Sequence, residues 1–310
     1  MKKWLIGFLA LVLTLLVGCA AAAEAGFQRS GDWCFRILED GTAEILYHWG
    51  FYDDAELPIP DELDGATVSH IDSNFFHFSH VTAFTVSPTH PYFEVVDGVL
   101  FSNEYSLPYQ PVVDTVTVAA MAVVIGALKE EIRVPFGVHV ISDAMATIDL
   151  AAATGAAFVR SVFTGGYVGE MGIRSLDIAA VMRRKKALGL EDLLMFYMVG
   201  SESDGDLSGR SLTDTARAIV FKCRPTALCV SGKSAGCEAS DDAVMEVRAA
   251  ANGTPVLFNT GVNAGNVQRK LAASDGVMVG TAFKVGGVFE KMVDEARVRE
   301  FMEKVNETRS

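Results

Sequence analysis

The chain has 310 residues, of which 50% are hydrophobic and 21% are charged, and its formal net charge is −13 at pH 7. This length and apolar content support a substantial core and more than one domain, so global disorder is excluded. The acidity is concentrated in residues 1–100, where 14 Asp and Glu accompany only 4 Lys and Arg. Neither half carries the basic patch that attracts a phosphate backbone, so no nucleic-acid partner is expected.

The first 19 residues have the layout of an export signal. Lys2 and Lys3 precede an apolar run that ends in Leu-Val-Gly-Cys19. This run is shorter than the roughly 20 residues of a membrane-spanning helix, so an uncleaved membrane helix is the less favoured alternative. The ending resembles the bacterial lipobox, which implies cleavage before Cys19 and lipid attachment to it. We therefore expect an exported protein that is anchored to a membrane through Cys19.

Residues 27–96 consist of short apolar runs interrupted by Gly, Asp and Pro. Asp40-Gly41 separates two alternating runs, a pattern typical of a β-hairpin, and Pro58 predicts an edge or loop position because it lacks a backbone donor. The string "IPDELDGATVSHI" and residues 86–101 resemble the BspA-like leucine-rich repeat proteins of bacterial surfaces. About one repeat is present, whereas around three are usually needed for a stable solenoid. We therefore expect a small β-rich repeat fragment, and the resemblance implies an adhesion role.

From residue 97 onward the chain alternates between apolar strands and amphipathic helices. Strands are predicted over residues 97–102, 134–141, 156–163, 193–199, 227–231, 255–259 and 276–279. Helices are predicted over residues 113–129, 143–154, 175–188, 211–223, 241–251, 264–272 and 294–306. This alternation predicts an α/β fold with a parallel sheet covered by helices, and about seven βα units favour a TIM-type barrel. An open doubly wound sheet is the alternative, but no Gly-x-Gly-x-x-Gly follows an early strand.

Several long strings in this second part carry a family resemblance. They include "DGVLFSNEYSLPY", "AAATGAAFVRSVFTGGYVGEMG", "ALCVSGKSAG" and "NTGVNAGNVQRKLAASDGVMVGTAFKVGGVF". In this order they resemble the BtpA/SgcQ family, and the SgcQ branch in particular, over about two thirds of the chain. The resemblance implies a barrel of the ribulose-phosphate-binding type, relatives expected in the cytoplasm, and a role in either a carbohydrate-related setting or photosystem I biogenesis. The family's first βα unit is missing, so we predict a (β/α)8 barrel that lacks this unit.

The string "DGVLFSNE" lies where the two resemblances meet. A similar string is typical both of the BspA-like repeats and of the BtpA/SgcQ family. The predicted organisation is a signal peptide over residues 1–19, a repeat fragment over 27–96 and a barrel over 97–310. A genuine chimeric fusion and an erroneous assembly of two genes are both open explanations. The signal predicts export for the polypeptide as written.

Candidate site residues follow the predicted strands, because TIM-barrel chemistry lies at the carboxyl ends of the strands. Glu104 and His139 are the candidates for proton transfer, and Arg160 is the candidate for pairing a substrate anion. The further candidates for ligand binding at strand ends are Asn103, Thr164, Ser231, Ser234 and Asn259. His70, His77 and His80 have a spacing that arises by chance on a polar surface, so no metal site is predicted.

The last two predicted βα loops are candidates for binding an anion. Gly261, Gly280 and Thr281 can present backbone N–H groups to a phosphate, and Asn263 and Asn266 lie near the start of the next helix. The alternative is that these glycines only form tight turns. We therefore expect a small anionic or phosphorylated, sugar-derived ligand, with no cofactor identified and an oligomer of identical chains left open. An adhesive surface lipoprotein and a non-catalytic factor for membrane-complex biogenesis are the competing functions.

Overall fold

The computed structural model describes residues 27–48, 56–71, 83–86, 97–234 and 236–309. The chain divides into two compact units, Met1–Val95 and Val96–Ser310. The predicted signal peptide with Cys19, and also His77 and His80, lie outside the described residues. No helix in the described ranges combines the length and the apolar character needed to cross a membrane.

The first unit is built from short β-strands around a small core. Its described strands are β1 (Phe27–Ser30), β2 (Trp33–Ile37), β3 (Ala43–His48), β4 (Glu56–Ile59), β5 (Glu62–Leu63), β6 (Ala66–Ile71) and β7 (Ala83–Val86). Five of them form one sheet in the order β1-β2-β3-β6-β5, and β4 pairs in parallel with β7. Phe35, Ile45 and Val68 are fully buried in the core of this unit.

The predicted hairpin in this unit is confirmed. β2 and β3 form an antiparallel hairpin across Asp40-Gly41, where Gly41 has a φ of 82° and donates its N–H to the Leu38 carbonyl at 3.0 Å. A positive φ of this kind favours glycine. Pro58 lies in β4, which pairs with β7 and has no second neighbouring strand among the described residues.

The second unit is a parallel α/β structure. Its parallel strands are β8 (Val99–Ser102), β9 (Phe136–His139), β10 (Phe158–Ser161), β13 (Leu194–Met198), β15 (Ala227–Val230), β16 (Val256–Phe258) and β17 (Gly276–Val277). Its helices are α1 (Thr115–Leu128), α2 (Ala144–Thr154), α3 (Ile178–Ala187), α4 (Leu212–Cys223), α5 (Asp241–Ala250), α6 (Val267–Ala273) and α7 (Glu295–Arg309). One helix follows each parallel strand, so the predicted alternation is confirmed.

The strand order shows how the sheet is wound. From one edge to the other it is β8-β9-β10-β13-β15-β16-β17, so each parallel strand lies beside its neighbours in sequence. A doubly wound sheet would reverse direction at a switch point, and this sheet does not. The sheet is thus a curled half-barrel. Residues 227–230 of β15 are buried throughout, as expected for a strand covered on both sides.

Local signals in the sequence explain where the helices begin. The side chains of Asp143, Asp177, Ser211 and Ser240 each accept a hydrogen bond from the backbone N–H three residues later, which caps α2, α3, α4 and α5. Gly155 ends α2 in a left-handed conformation with a φ of 77°. These caps fix the residue at which each of the four helices begins.

A small antiparallel sheet interrupts the alternation after β10. It consists of β11 (Gly166–Gly169), β12 (Gly172–Ser175) and β14 (Gly205–Asp206), in the order β12-β11-β14. The prediction of a helix from residue 175 was wrong at this end, because Ser175 ends β12 and α3 begins at Ile178. The hairpin of β11 and β12 therefore stands between β10 and its helix.

The loops after the first and last parallel strands contact each other. The Tyr105 hydroxyl donates to the Phe289 carbonyl at 2.9 Å, and the Lys284 Nζ donates to the same hydroxyl at 3.0 Å. The Tyr105 and Phe289 rings lie 5.7 Å apart, and Lys284 Nζ lies 4.2 Å from the centroid of the Phe289 ring. The carboxyl-end rim of the curled sheet is therefore joined between β8 and β17.

Candidate functional site

Polar side chains from four of the predicted positions meet at the carboxyl ends of the strands. His139 ends β9, Arg160 lies in β10, Ser231 follows β15 and Asn259 follows β16. His139 and Asn259 are each 5% exposed. With Glu202, which lies in the loop after β13, these residues form what we call the strand-end cluster.

Arg160 is the centre of this cluster. Its guanidinium donates to Asn259 Oδ1 at 2.7 Å and to His139 Nδ1 at 2.9 Å. Its Nε–H is buried and has no hydrogen-bond partner among the described residues. A buried, unpaired N–H costs free energy unless a partner is supplied, so this donor is available to a bound acceptor.

Glu202 faces the same cluster. Its Oε1 accepts from Asn259 Nδ2 at 2.9 Å and from the Ser231 hydroxyl at 3.2 Å, while Oε2 makes no hydrogen bond to any described residue. Burial raises the pKa of this carboxyl, and the nearby Glu104 carboxylate raises it further, whereas Arg160 opposes the shift. Glu202 is therefore fixed through one oxygen and available for proton transfer through the other.

The loop after β8 lies beside the strand-end cluster. Asn103 is 8% exposed, and its Oδ1 accepts the Ile141 N–H at 2.7 Å, which ties the end of β8 to the end of β9. The Tyr109 hydroxyl donates to the Glu104 carbonyl at 3.0 Å. Burial raises the pKa of Tyr109, and the Glu104 and Glu202 carboxylates act in the same direction. Asn103 thus has a structural role, and Glu104 adds negative charge beside Glu202.

The predicted anion loop after β16 packs closely against the loop after β15. A Cβ at Gly261, where φ is 75°, would lie 2.2 Å from the Glu238 Cα, so glycine is required there for packing. The Asn263 N–H already donates to Asn266 Oδ1 at 2.8 Å, and the Gly265 N–H donates to Asn263 Oδ1 at 2.9 Å. These two donors of the loop are therefore used internally.

The remaining predicted residues lie around this rim. A Cβ at Gly280 would meet no atom within 4 Å, so no packing reason explains this glycine. Thr281 begins a short 3-10 turn, and its side chain lies 3.7 Å from the Cβ position at Gly236. Ser234 is exposed and its hydroxyl donates to Cys237 Sγ at 3.0 Å. Thr164, between β10 and the hairpin, makes no side-chain hydrogen bond to any described residue.

Comparison with known proteins identifies the second unit. The BtpA family model matches residues 75–307 of this chain. The chain belongs to the BtpA family. The sgc region protein SgcQ of Escherichia coli K12 is 42% identical over 214 residues, a match that covers 69% of this chain and 80% of SgcQ. About a fifth of SgcQ therefore has no counterpart in that match.

Other members are more distant. An uncharacterized protein of Archaeoglobus fulgidus is 33% identical over 66% of this chain and 80% of its own length. The photosystem I biogenesis protein BtpA of Synechocystis is 26% identical over 68% of this chain and 75% of its own length. Phosphoribosyl anthranilate isomerase from Thermus thermophilus is similar in structure over 68% of this chain and 86% of that protein, at 12% identity and a TM-score of 0.43. That likeness is too low to carry an argument.

The sequence alone did not point to Glu202 in this BtpA-family domain. The segment "SESDGDLSG" has the composition of a solvated acidic loop, because acidic residues between Gly and Ser are typical of surface loops. Its position directly after β13 was the available signal, since carboxyl-terminal strand ends carry the chemistry of this architecture. No group of three or more metal-ligating side chains occurs in the described part of the chain.

The protonation state of His139 leads to a pH prediction. Burial lowers the pKa of His139 well below 6.5, and the Arg160 guanidinium lowers it further, so the imidazole is neutral in the folded chain. The unfolded chain takes up a proton at this position near pH 6.5, and the folded chain does not. The contribution of His139 to stability is therefore present above pH 6.5 and is lost as the pH falls below it.

The variant His139→Asn removes this titration. We expect the free energy of unfolding of the wild type to fall relative to that of the variant by up to about 1.4 kcal/mol per pH unit below pH 6.5. Urea denaturation of both proteins at pH 7.5, 6.5 and 5.5 measures the difference. If the wild type and the variant differ in their free energies of unfolding by the same amount at all three pH values, His139 is not neutral and buried in the folded chain.

Proposed function

We propose that the BtpA-family domain binds a phosphorylated, sugar-derived small molecule at the strand-end cluster, with Arg160 pairing its anionic group and Glu202 transferring a proton. The observation that carries this proposal is the buried, unpaired Nε–H of Arg160 beside a partly buried Glu202 with one unbound oxygen. Guanidinium groups bind phosphate and carboxylate well because their donors form a rigid fork.

The other members of the cluster fit a polyhydroxylated ligand. Asn259, Ser231 and Glu202 present donors and acceptors within one hydrogen-bonded group. Sugar hydroxyls both donate and accept, so such a mixed surface can pair them without leaving a buried polar group unsatisfied. Gly280 and Thr281 lie in the loop that follows β17, and they are proposed as a second group of contacts for the anion.

Calorimetric titration of the full chain tests the binding. Ribose 5-phosphate, ribose and inorganic phosphate serve as probes, and the phosphorylated sugar is expected to bind at least tenfold more tightly than either of the others. Arg160→Met should lower that affinity roughly 100-fold, since it removes a charged donor worth about 1.5–3 kcal/mol.

Arg184→Met is the matched control. Arg184 pairs with Asp149 at 2.6 Å through an exposed salt bridge between α3 and α2, away from the strand ends. Its loss should leave the affinity unchanged. If ribose 5-phosphate binds no more tightly than inorganic phosphate, or if Arg160→Met binds it as the wild type does, the proposal is wrong.

A further inference from the structure

We infer that Arg174 is a positioning residue for Glu202, acting through a buried clamp made of Arg174, Ser201 and Asp204. This inference rests on the proposed function of Glu202. Arg174 lies in β12 of the hairpin, whereas Ser201 and Asp204 flank Glu202 in the loop after β13. The clamp therefore joins the hairpin to the loop that carries Glu202, across 27 to 30 positions of the sequence.

The contacts of the clamp lie on both sides of Glu202. Arg174 donates to the Ser201 hydroxyl at 3.2 Å and forms an ion pair with the Asp204 carboxylate, and the Ser201 hydroxyl donates to Asp204 Oδ2 at 2.6 Å. The side chains of Arg174 and Asp204 are 7% and 3% exposed. A salt bridge this deeply buried is little screened by dissolved salt.

The backbone reinforces the same connection. β14 pairs with residues 167–168 of β11, and the Leu207 N–H donates to the Gly166 carbonyl at 2.9 Å. A Cβ at Gly169 would lie 2.0 Å from Asp204 Oδ1, so this glycine makes room for the aspartate. The loop that carries Glu202 is thus fixed at its start by β13 and at its end by the hairpin.

The burial of an ion pair needs a reason, because desolvation of two charges often cancels their attraction. A buried pair can instead select one conformation of a loop. Here the selected conformation places Glu202 Oε1 against Asn259 and Ser231. Arg174 itself makes no hydrogen bond to Glu202, so its effect on the site passes through Ser201 and Asp204.

The test is an NMR pH titration of Glu202 in the full chain labelled with ¹³C-glutamate and assigned with Glu202→Gln. The titratable or charged groups that act on Glu202 from its neighbours are Arg160, Glu104, Tyr109 and Cys229, and Arg174→Met leaves all four in place. Without the clamp the loop opens to water, so the pKa of Glu202 is expected to fall by at least half a unit toward the ordinary glutamate value. Arg174→Lys should restore part of the shift.

Arg184→Met again serves as the control and should leave the Glu202 titration unchanged. If Arg174→Met does not fold, Asp204→Asn, which breaks the same clamp, and Ser201→Ala are titrated in its place. A Glu202 titration in these clamp variants that matches the wild type would overturn the inference. Because this measurement needs no ligand, a failure of the calorimetric titration would refute the proposed ligand and leave the result on the clamp standing.

Discussion

Replacing Glu202 with glutamine is expected to slow proton transfer to or from a bound sugar phosphate at least 100-fold, while binding changes only a few-fold. The amide keeps an oxygen that accepts from Asn259 and Ser231, as Glu202 Oε1 does. The amide nitrogen replaces the second carboxylate oxygen, and it cannot take up the proton as that oxygen does. General base catalysis by one side chain contributes roughly 10²–10⁴-fold, so a loss of this size identifies Glu202 as the base.

The measurement is the exchange of a ligand C–H for deuterium next to a carbonyl group, followed by NMR in D₂O. Burial raises the pKa of Glu202, so the wild-type rate should rise with pH through a value above that of an ordinary glutamate. Glu104→Gln is the matched control, because Glu104 was the carboxylate predicted from the sequence; a loss of less than tenfold is expected there. Equal exchange in the wild type and Glu202→Gln would contradict the role of Glu202.

Replacing Gly261 with alanine is expected to lower the free energy of unfolding by about 2–5 kcal/mol. The backbone at Gly261 has a φ of 75°, and the new Cβ would lie 2.2 Å from the Glu238 Cα and 2.4 Å from its N. The left-handed conformation costs roughly 1–2 kcal/mol for a residue with a Cβ, and overpacking against backbone adds about 1–3 kcal/mol.

Gly155→Ala separates these two contributions. Gly155 has a φ of 77°, and a Cβ there would meet no atom within 4 Å, so only the conformational cost of roughly 1–2 kcal/mol applies. Urea denaturation of both variants gives the comparison. If Gly261→Ala costs no more than Gly155→Ala, the close packing of the loops after β15 and β16 is not as the structure describes it.

Local signals in the sequence account for most of the second unit. Residues 143, 177, 211 and 240 are Asp or Ser at positions where a helix begins, and each caps a helix in the structure. The apolar runs that end near His139, Ser161 and Val230 are strands of one parallel sheet. These features depend on residues that are close to one another in the sequence, so a local sequence pattern predicts them.

Contacts between distant segments could not be predicted in this way. The hairpin of β11 and β12 consists mainly of glycine and exposed residues, so its strands lack the apolar alternation that signals a half-buried strand. Glu202 enters the strand-end cluster because β14 and the Arg174 clamp fix its loop, and that pairing joins residues about 30 positions apart. The contact of Tyr105 with Phe289 spans 184 positions.

The first unit adds structure that the family match does not explain in full. The match to the BtpA family begins at residue 75, whereas the second compact unit begins at Val96. The lipid anchor on Cys19, the repeat resemblance and the origin of the junction stay predictions. They concern the location of the domain, and the chemistry of the strand-end cluster does not depend on them.

The most direct test of the ligand site is a crystal structure of the full chain grown with ribose 5-phosphate. We expect the sugar phosphate at the carboxyl ends of the strands, with an anionic oxygen within hydrogen-bond distance of the Arg160 guanidinium and a hydroxyl or carbon-bound proton facing Glu202 Oε2. A sugar phosphate bound elsewhere would contradict this site. In that case Arg160 and Glu202 would keep their contacts with His139, Asn259 and Ser231 and would make none with the ligand.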